Sequence, residues 1–283
     1  MEKTVEALNN IQPLIIIGMM LTLWVVESFI PYFSLSSARR KQARRNMVIV
    51  AIAFVVNGLI GIYVNGLINY VADHRLGLLN WIHLPILVTI IAGMLLIDLW
   101  DYGFHLIQHY IPFFWRFHQV HHSDTELDVT SSIRFHPGDI FFQAVGWTFM
   151  FPLFGISGAS FVIYFTFYLF LIFFQHANVK LPDWIDRYGS YVFSTPGWHK
   201  MHHAAERKLT DSHYGDVFTF WDRIFGTGGP IDIEHIDFGI EYFRDQKDQT
   251  VKSLLLHPFR PLPYQKINQE QKEAKEVLKK VTA

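Results

Sequence analysis

Residues Phe117–Asp139 read FHQVHHSDTELDVTSSIRFHPGD, and the placing of four histidines between two apolar runs decides how the rest of the chain is read. His118, His121 and His122 form an H-x-x-H-H box. Positions i, i+3 and i+4 share one face of a helix, so the box predicts three imidazoles converging on one point, a metal-binding arrangement. The same box recurs as His199, His202 and His203 in WHKMHH, and an i, i+4 pair, His105 and His109 in FHLIQH, precedes both. With 15 histidines in 283 residues, chance yields one such box roughly 0.04 times and two about once in a thousand chains. Coincidence is a poor account of the pattern.

Outward from the boxes the chain is apolar. It is 51% hydrophobic and 16% aromatic, with a mean hydropathy of +0.19, the composition of a membrane protein. A net charge of −1, without a basic aromatic surface pattern, argues against nucleic acid as a partner. There is no cysteine, which excludes disulfides, thiolate metal sites and cysteine nucleophiles and leaves any metal to His, Asp, Glu or Asn.

Pro13–Pro31 is a 19-residue apolar run whose only charge is Glu27, long enough to span a bilayer core. Its polar start and the SARRKQARR that follows do not fit a cleaved signal peptide. Residues 38–45 carry Arg39, Arg40, Lys41, Arg44 and Arg45 without an acid, which places this stretch, read as a loop, in the cytoplasm. Met47–Val71, bearing Asn57, Asn65 and Asn69, and Trp81–Ile97 are uncharged and predict spans two and three. Ile140–Phe174 holds no Asp, Glu, Lys or Arg; as one helix it would be roughly 52 Å long, so a hairpin broken near Pro152, Gly155 and Gly158 is the better reading. Two arms of about 24 Å each leave open whether it crosses or only dips deeply. Either way, counting passes puts all three histidine groups and His176 on the cytoplasmic side.

The expected architecture is an all-α integral membrane protein, multi-pass, with about three transmembrane helices plus a helical hairpin, capped by a cytoplasmic histidine-rich helical domain. Residues 1–97 hold the N-terminal transmembrane helices, 98–227 the catalytic region with the hairpin at 140–174, and 228–283 a cytoplasmic cap and tail in which Asn268–Lys280 reads as an exposed charged helix. His105, His109, His118, His121, His122, His176, His199, His202 and His203 are too many for one ion and imply two. Imidazole suits iron, zinc, copper and nickel alike, so spacing does not choose the metal. Neutral ligands at a membrane boundary suit attack on a lipid tail, where no ordinary acid or base removes a proton and oxygen activation on a metal is required.

From Asp98 to Thr227 the chain resembles the fatty acid hydroxylase and sterol desaturase superfamily. The resemblance rests on Asp98-x3-Tyr102-x2-His105-x3-His109, the first H-x-x-H-H, IRFHPGD, QHAN, and the second H-x-x-H-H followed by DSHYGDVFTFWDRIFGT. It implies a membrane di-iron oxidoreductase, a hydroxylase, monooxygenase or desaturase of lipid metabolism, with two iron ions, dioxygen as co-substrate and an external electron donor. Its partners would be a lipid substrate, the bilayer and a separate redox protein. Carried over, the nine histidines are the iron ligands, while Asp98 and Tyr102 orient the first imidazole pair. His136 in RFHP is either a tenth ligand or the cap of a helix entrance. His213 stands where relatives often carry Asn before Tyr-Gly. His74, His83, His235 and His257 have no partner at helical spacing and read as interfacial or surface residues. The Phe-rich run 161–174 reads as packing or lipid-facing surface, and Trp221, Asp222 and Arg223 as fasteners of the cap.

Three rival functions are weaker. A pterin-dependent ether-lipid cleaving branch shares QVHHS, but IRFHP fits it less well. A metal transporter would place its ligands near the bilayer midplane in broken helices, whereas these fall at span ends. A zinc hydrolase would need an H-E-x-x-H or a general base beside the boxes, and neither is in the sequence.

Overall fold

A computed structural model describes residues 2–262, with side chains from Ile11 onward. The expected helix at Asn268–Lys280 lies outside the described residues. The helices are α1 (Glu2–Phe29), α2 (Arg39–Asp73), α3 (Leu78–Trp81), α4 (Ile86–Tyr110), α5 (Pro112–His122), α6 (Pro137–Phe154), α7 (Gly158–His176), α8 (Asp183–Gly189), α9 (Pro196–His202), α10 (Arg207–Thr210), α11 (Phe220–Phe225) and α12 (Val251–Leu256). Short 3-10 turns at Val129–Ile133 and His257–Phe259 join them. Among the described residues there is no strand, only isolated bridges such as Phe193 with Phe218.

Segments Ile11–Phe29, Arg39–Trp81, Ile86–Tyr110 and Gly158–His176 are each long and apolar enough to cross a membrane. Their outer faces carry Leu14, Phe54, Val55 and Ile62, all more than 60% exposed, as hydrocarbon-facing positions should be. The inner faces meet in a core of Val64, Val71, Ile97, Met150, Phe151, Tyr164 and Leu171 from α2, α4, α6 and α7. The hairpin goes deep. At its tip, Gly155 has φ +71° and meets Gly77, with φ +87°, backbone to backbone, where a Cβ on Gly77 would lie 2.1 Å from the Gly155 nitrogen. That contact puts the hairpin tip level with the turn joining α2 to α3, the end of the bundle farthest from the histidines.

The basic stretch differs from its expectation. Arg39–Arg45 is not a loop but the opening of α2, because no Gly or Pro interrupts SARRKQARRN and its residues favour helix. Asn46 donates to Asp124 Oδ2 at 3.2 Å, Gln42 to the Glu126 carbonyl, and Arg39 lies 3.5 Å from Asp128. The basic turns therefore sit at the histidine end, against the segment that follows the first box. Glu27, the only charge of the apolar run Pro13–Pro31, is fully buried there: it pairs with Arg39 at 2.5 Å and accepts from the backbone N–H groups of Val129 and Asn178. A buried charge survives only with such partners, and here it ties α1 to α2 and to the end of α7.

Candidate metal centre

Four helices end at the histidines. His105 and His109 occupy the last two turns of α4, His118, His121 and His122 close α5, His176 is the last residue of α7, and α9 ends on His199 and His202 with His203 next. Pro112 and Pro196 stand at the first turn of α5 and α9, where proline's missing N–H costs nothing; Thr195 caps α9 from its hydroxyl. Each box thus occupies the closing turns of a short helix started by proline. Every C-terminal helix end carries partial negative charge from unsatisfied carbonyls, so the convergence favours a cation.

The nine imidazoles do not converge on one point. They divide into two buried groups, one of His105, His109, His118, His122 and His202, the other of His121, His176, His199 and His203, the candidate ligand atoms within each group lying within 4.8 Å of one another. Each H-x-x-H-H box is split. In the first, i and i+4 go to the five-histidine group and i+3 to the other; in the second the assignment is reversed. The reason is angular, since i+3 and i+4 point about 100° apart around the helix. The groups adjoin where His122 and His203 stack at 4.4 Å.

Hydrogen bonds settle which nitrogen faces inward. Nδ1 of His105 donates to the Tyr214 carbonyl at 2.9 Å, that of His202 to the Ser212 carbonyl at 2.7 Å and that of His176 to the Ile172 carbonyl at 2.8 Å. Nδ1 of His109 donates to Asp211 at 3.1 Å and that of His118 to Asp139 at 3.1 Å. A neutral imidazole has one N–H, so each of these Nε2 atoms is a bare lone pair. Yet His105 Nε2 lies 3.0 Å from His202 Nε2 and 3.2 Å from His118 Nε2. Burial, followed by neighbouring imidazoles, holds His121, His122, His199 and His203 well below their ordinary 6.5, and burial then His105 does so for His202. Protons do not relieve the clash of lone pairs at neutral pH; a bound cation does. The donor set therefore fits metal ions.

Beyond the imidazoles, Asp139 is held by Gln108 at 2.7 Å and Asp211 by Arg207 at 2.8 Å. Burial raises Asp211 to about 6, against the pull of Arg207. Sequence reasoning did not assign these carboxylates, although both lie in quoted motifs, HPGD and DSHYGD. The orienting carbonyls of Tyr214 and Ser212 leave no residue-type signal at all.

Asp98 and Tyr102 do not orient the first pair. Asp98 accepts from Tyr164 at 2.9 Å, Trp221 at 2.7 Å and the Phe218 N–H at 3.3 Å, because it lies roughly 10 Å along α4 from His105. Tyr102 reaches Thr227 at 2.7 Å. Both fasten the cap, as does Asp222, which accepts from the Tyr214 and Gly215 N–H groups. His136 caps α6: its Nδ1 accepts from Gly138 and its Nε2 meets the Leu255 carbonyl, so neither ring nitrogen turns to a histidine group. His213 has φ +58°, a left-handed backbone that Asn tolerates well, and its ring bonds to Ser212 and Gly229. His74, His83 and His235 are exposed. His257 departs from its surface reading: it is fully buried and stacks on Phe243 at 4.3 Å, held there by the turn that follows α12.

A cavity of about 1190 Å³ ends on His105, His118 and His121, touching both groups. Its walls are mainly apolar and include Ile60, Val64, Phe161, Val162 and Phe165.

The family model for fatty acid hydroxylases matches residues 90–227. Over 150 residues the chain is 29% identical to an alkylglycerol monooxygenase of Xenopus tropicalis, covering 52% of this chain and 31% of that protein. It is 28% identical over 145 residues to an ornithine lipid hydroxylase of Rhizobium tropici, 50% and 42% of the two chains, and 27% identical over 153 residues to a lathosterol oxidase of Mus musculus, 52% and 46%. The matched segment spans less than half of each of these relatives. No solved structure matches. The matched segment, just under half of the chain, contains all nine histidines of the two groups, and with these relatives it supports placing the chain in the fatty acid hydroxylase and sterol desaturase superfamily.

Proposed function

We propose that this chain is a membrane-bound di-iron oxidoreductase that uses dioxygen to hydroxylate or desaturate a lipid. The observation that carries the reading is the apolar cavity ending on both histidine groups, which gives a buried hydrocarbon a route to two metals at once. Nine imidazoles would hold the ions, five on one and four on the other. Five exceed the tetrahedral four of zinc, which favours a metal of higher coordination. Iron in such a site supplies the one-electron chemistry with dioxygen that breaks an unactivated C–H bond. The protein's own part is placement. Asp139, Asp211 and the Tyr214 and Ser212 carbonyls keep the proton on Nδ1 and the lone pair on Nε2, and the apolar walls exclude water. Arg39–Arg45 at the histidine end supports a cytoplasmic site by the positive-inside bias, within reach of a soluble or membrane-bound electron donor.

A narrower reading, oxidation of an ether lipid, is favoured by one observation: several relatives are named alkylglycerol monooxygenases, among them those of Xenopus tropicalis and Homo sapiens. Incubating membranes with labelled dioxygen, a reductant and total lipid extract tests both. Label in a lipid product that disappears with His202→Ala is the expected result, and loss of two hydrogens without label marks desaturation. If neither change appears across sterol, fatty acyl, ether-lipid and carotenoid substrates with iron and reductant present, the oxygenase reading fails and a non-catalytic metal-binding role replaces it.

A further inference from the structure

The cavity does not stop near the metal centre. Its lining on α2 runs from Val50 to Ala72, roughly 33 Å at 1.5 Å per residue. Along that wall Asn57, Gly61, Asn65 and Asn69 recur every fourth residue, a spacing that keeps them on one side of the helix. The three amides are exposed on the cavity wall, and none has a hydrogen-bond partner among the described residues. An amide at membrane depth without a partner costs several kcal/mol, so three in one row inside one cavity call for a polar occupant. Across from them, Gln12 is already engaged with Thr166 at 3.0 Å, and the remaining wall there is Phe161, Val162 and Phe165. Gly61 keeps the row open, for a Cβ added there meets nothing within 4 Å.

The chemistry of the occupant follows from what the lining contains and what it does not. An amide both donates and accepts, and matches hydroxyl, ether, ester or amide groups. Phosphate and carboxylate call for a cation, but among the described residues no Lys or Arg lines the cavity; its charged side chains there are the carboxylates Asp101, Asp139 and Asp216. Resting on the lipid-oxidation reading above, we propose that the Asn57–Asn65–Asn69 row is the site that selects the substrate, binding the uncharged polar group of a neutral lipid while its apolar body extends to His105, His118 and His121. From Asn65 to Val50 at the histidine end is roughly 22 Å, the reach of an extended lipid chain. The row is a positioning and specificity device, and takes no part in bond breaking.

Photo-crosslinking of the full chain in phosphatidylcholine nanodiscs tests this with three probes, each carrying a diazirine in the same sixteen-carbon chain: a 1-O-alkylglycerol, the alkyl phosphate and the plain alkane. Wild-type protein should form adducts on α2 and α7 with the glycerol ether about tenfold more efficiently than with the phosphate, the equivalent of one or two hydrogen bonds. The Asn57→Leu/Asn65→Leu/Asn69→Leu variant should lose about tenfold of the glycerol-ether labelling and retain the alkane labelling. Because Leu is favoured in a membrane helix, that variant should insert and fold. Gly61→Leu, which projects into the open row, should remove labelling by all three probes. Equal glycerol-ether labelling of wild type and the triple variant overturns the proposal, as does phosphate labelling as strong as that of the ether, or cavity labelling that survives Gly61→Leu. The same labelling on His202→Ala protein reports binding without chemistry. Asparagine-dependent labelling without oxygen insertion in wild type sinks the oxidation reading alone; oxygen insertion with asparagine-independent labelling sinks this one alone.

Discussion

The two histidine groups are built from the same residue type at helix ends, sharing α5 and α9, but they are held differently. In the five-histidine group, four Nδ1 atoms donate outward, to two carboxylates and two carbonyls. In the four-histidine group only His176 is so fixed, while Nδ1 of His121, His199 and His203 has no partner among the described residues. Orienting partners fix the tautomer and raise ligand basicity. The five-histidine group is therefore pre-set for its metal, whereas the other relies on packing, such as Phe135 stacked on His121 at 4.3 Å. Two sites of one centre need not bind alike, and the difference lies outside the ligands.

The largest effect expected is loss of one ion at a time. His202→Ala should empty the five-histidine group and His203→Ala the four-histidine group, each taking the iron count from about two to about one per chain and abolishing lipid oxidation. Elemental analysis of the purified variants checks this. Both ions lost in either variant would mean one cooperative cluster, and a full count retained in both would mean that these residues are not ligands.

Next in size is the order of metal loss. Under a competing chelator the wild-type protein should release iron in two phases, the four-histidine group first, with affinities separated about 10- to 100-fold, the usual worth of the orienting partners it lacks. A single phase would abolish the ranking, and tight retention of the remaining ion in His202→Ala with early release of the remaining ion in His203→Ala would reverse it.

The third expectation sharpens its cause. Asp139→Asn and Asp211→Asn should each weaken the tight phase about 10- to 100-fold and leave the loose phase where it was. Competition titration against the chelator separates the two. Should both phases move together, the carboxylates act on the whole centre and the contrast between the groups is not theirs to explain.

How much of this was legible beforehand depends on whether the cause is a side chain. Helix number, the hairpin and the nine histidines that gather at its open end follow from hydropathy and spacing, which are local. The division of each box between two groups was not legible, because the angle separating i+3 from i+4 matters only once α4, α5, α7 and α9 are docked. Nor were the Tyr214 and Ser212 carbonyls, which any residue presents. His136 was resolved only by the Gly138 N–H and the Leu255 carbonyl on either side of its ring, and His257 looked like a surface residue because the turn that buries it has no periodic signal. Asn57, Asn65 and Asn69 were visible as polar interruptions in an apolar run, but not that they share one cavity wall.

The smallest effect on metal is expected at Asp98, and it tests the comparison from outside. Motif position suggested that Asp98 orients His105 and His109. In the fold it accepts from Tyr164, Trp221 and the Phe218 N–H, joining α4 to α7 and to the start of α11, and it is 2% exposed. Asp98→Asn keeps the shape but turns one acceptor oxygen into a donor, which faces groups that themselves donate. The variant should lose about 1–3 kcal/mol of stability, the cost of leaving buried donors unmatched, and should melt at lower temperature in detergent. Both chelator phases should stay within about threefold of wild type, far inside the 10- to 100-fold range of a partner that touches a ligand. Tyr102→Phe, which removes only the bond to Thr227, should follow the same pattern with a smaller loss. Weakening of the tight phase by Asp98→Asn as large as that caused by Asp139→Asn would return Asp98 to the metal centre and show that bracing of the cap, not direct contact with the imidazoles, is what sets the five-histidine group apart.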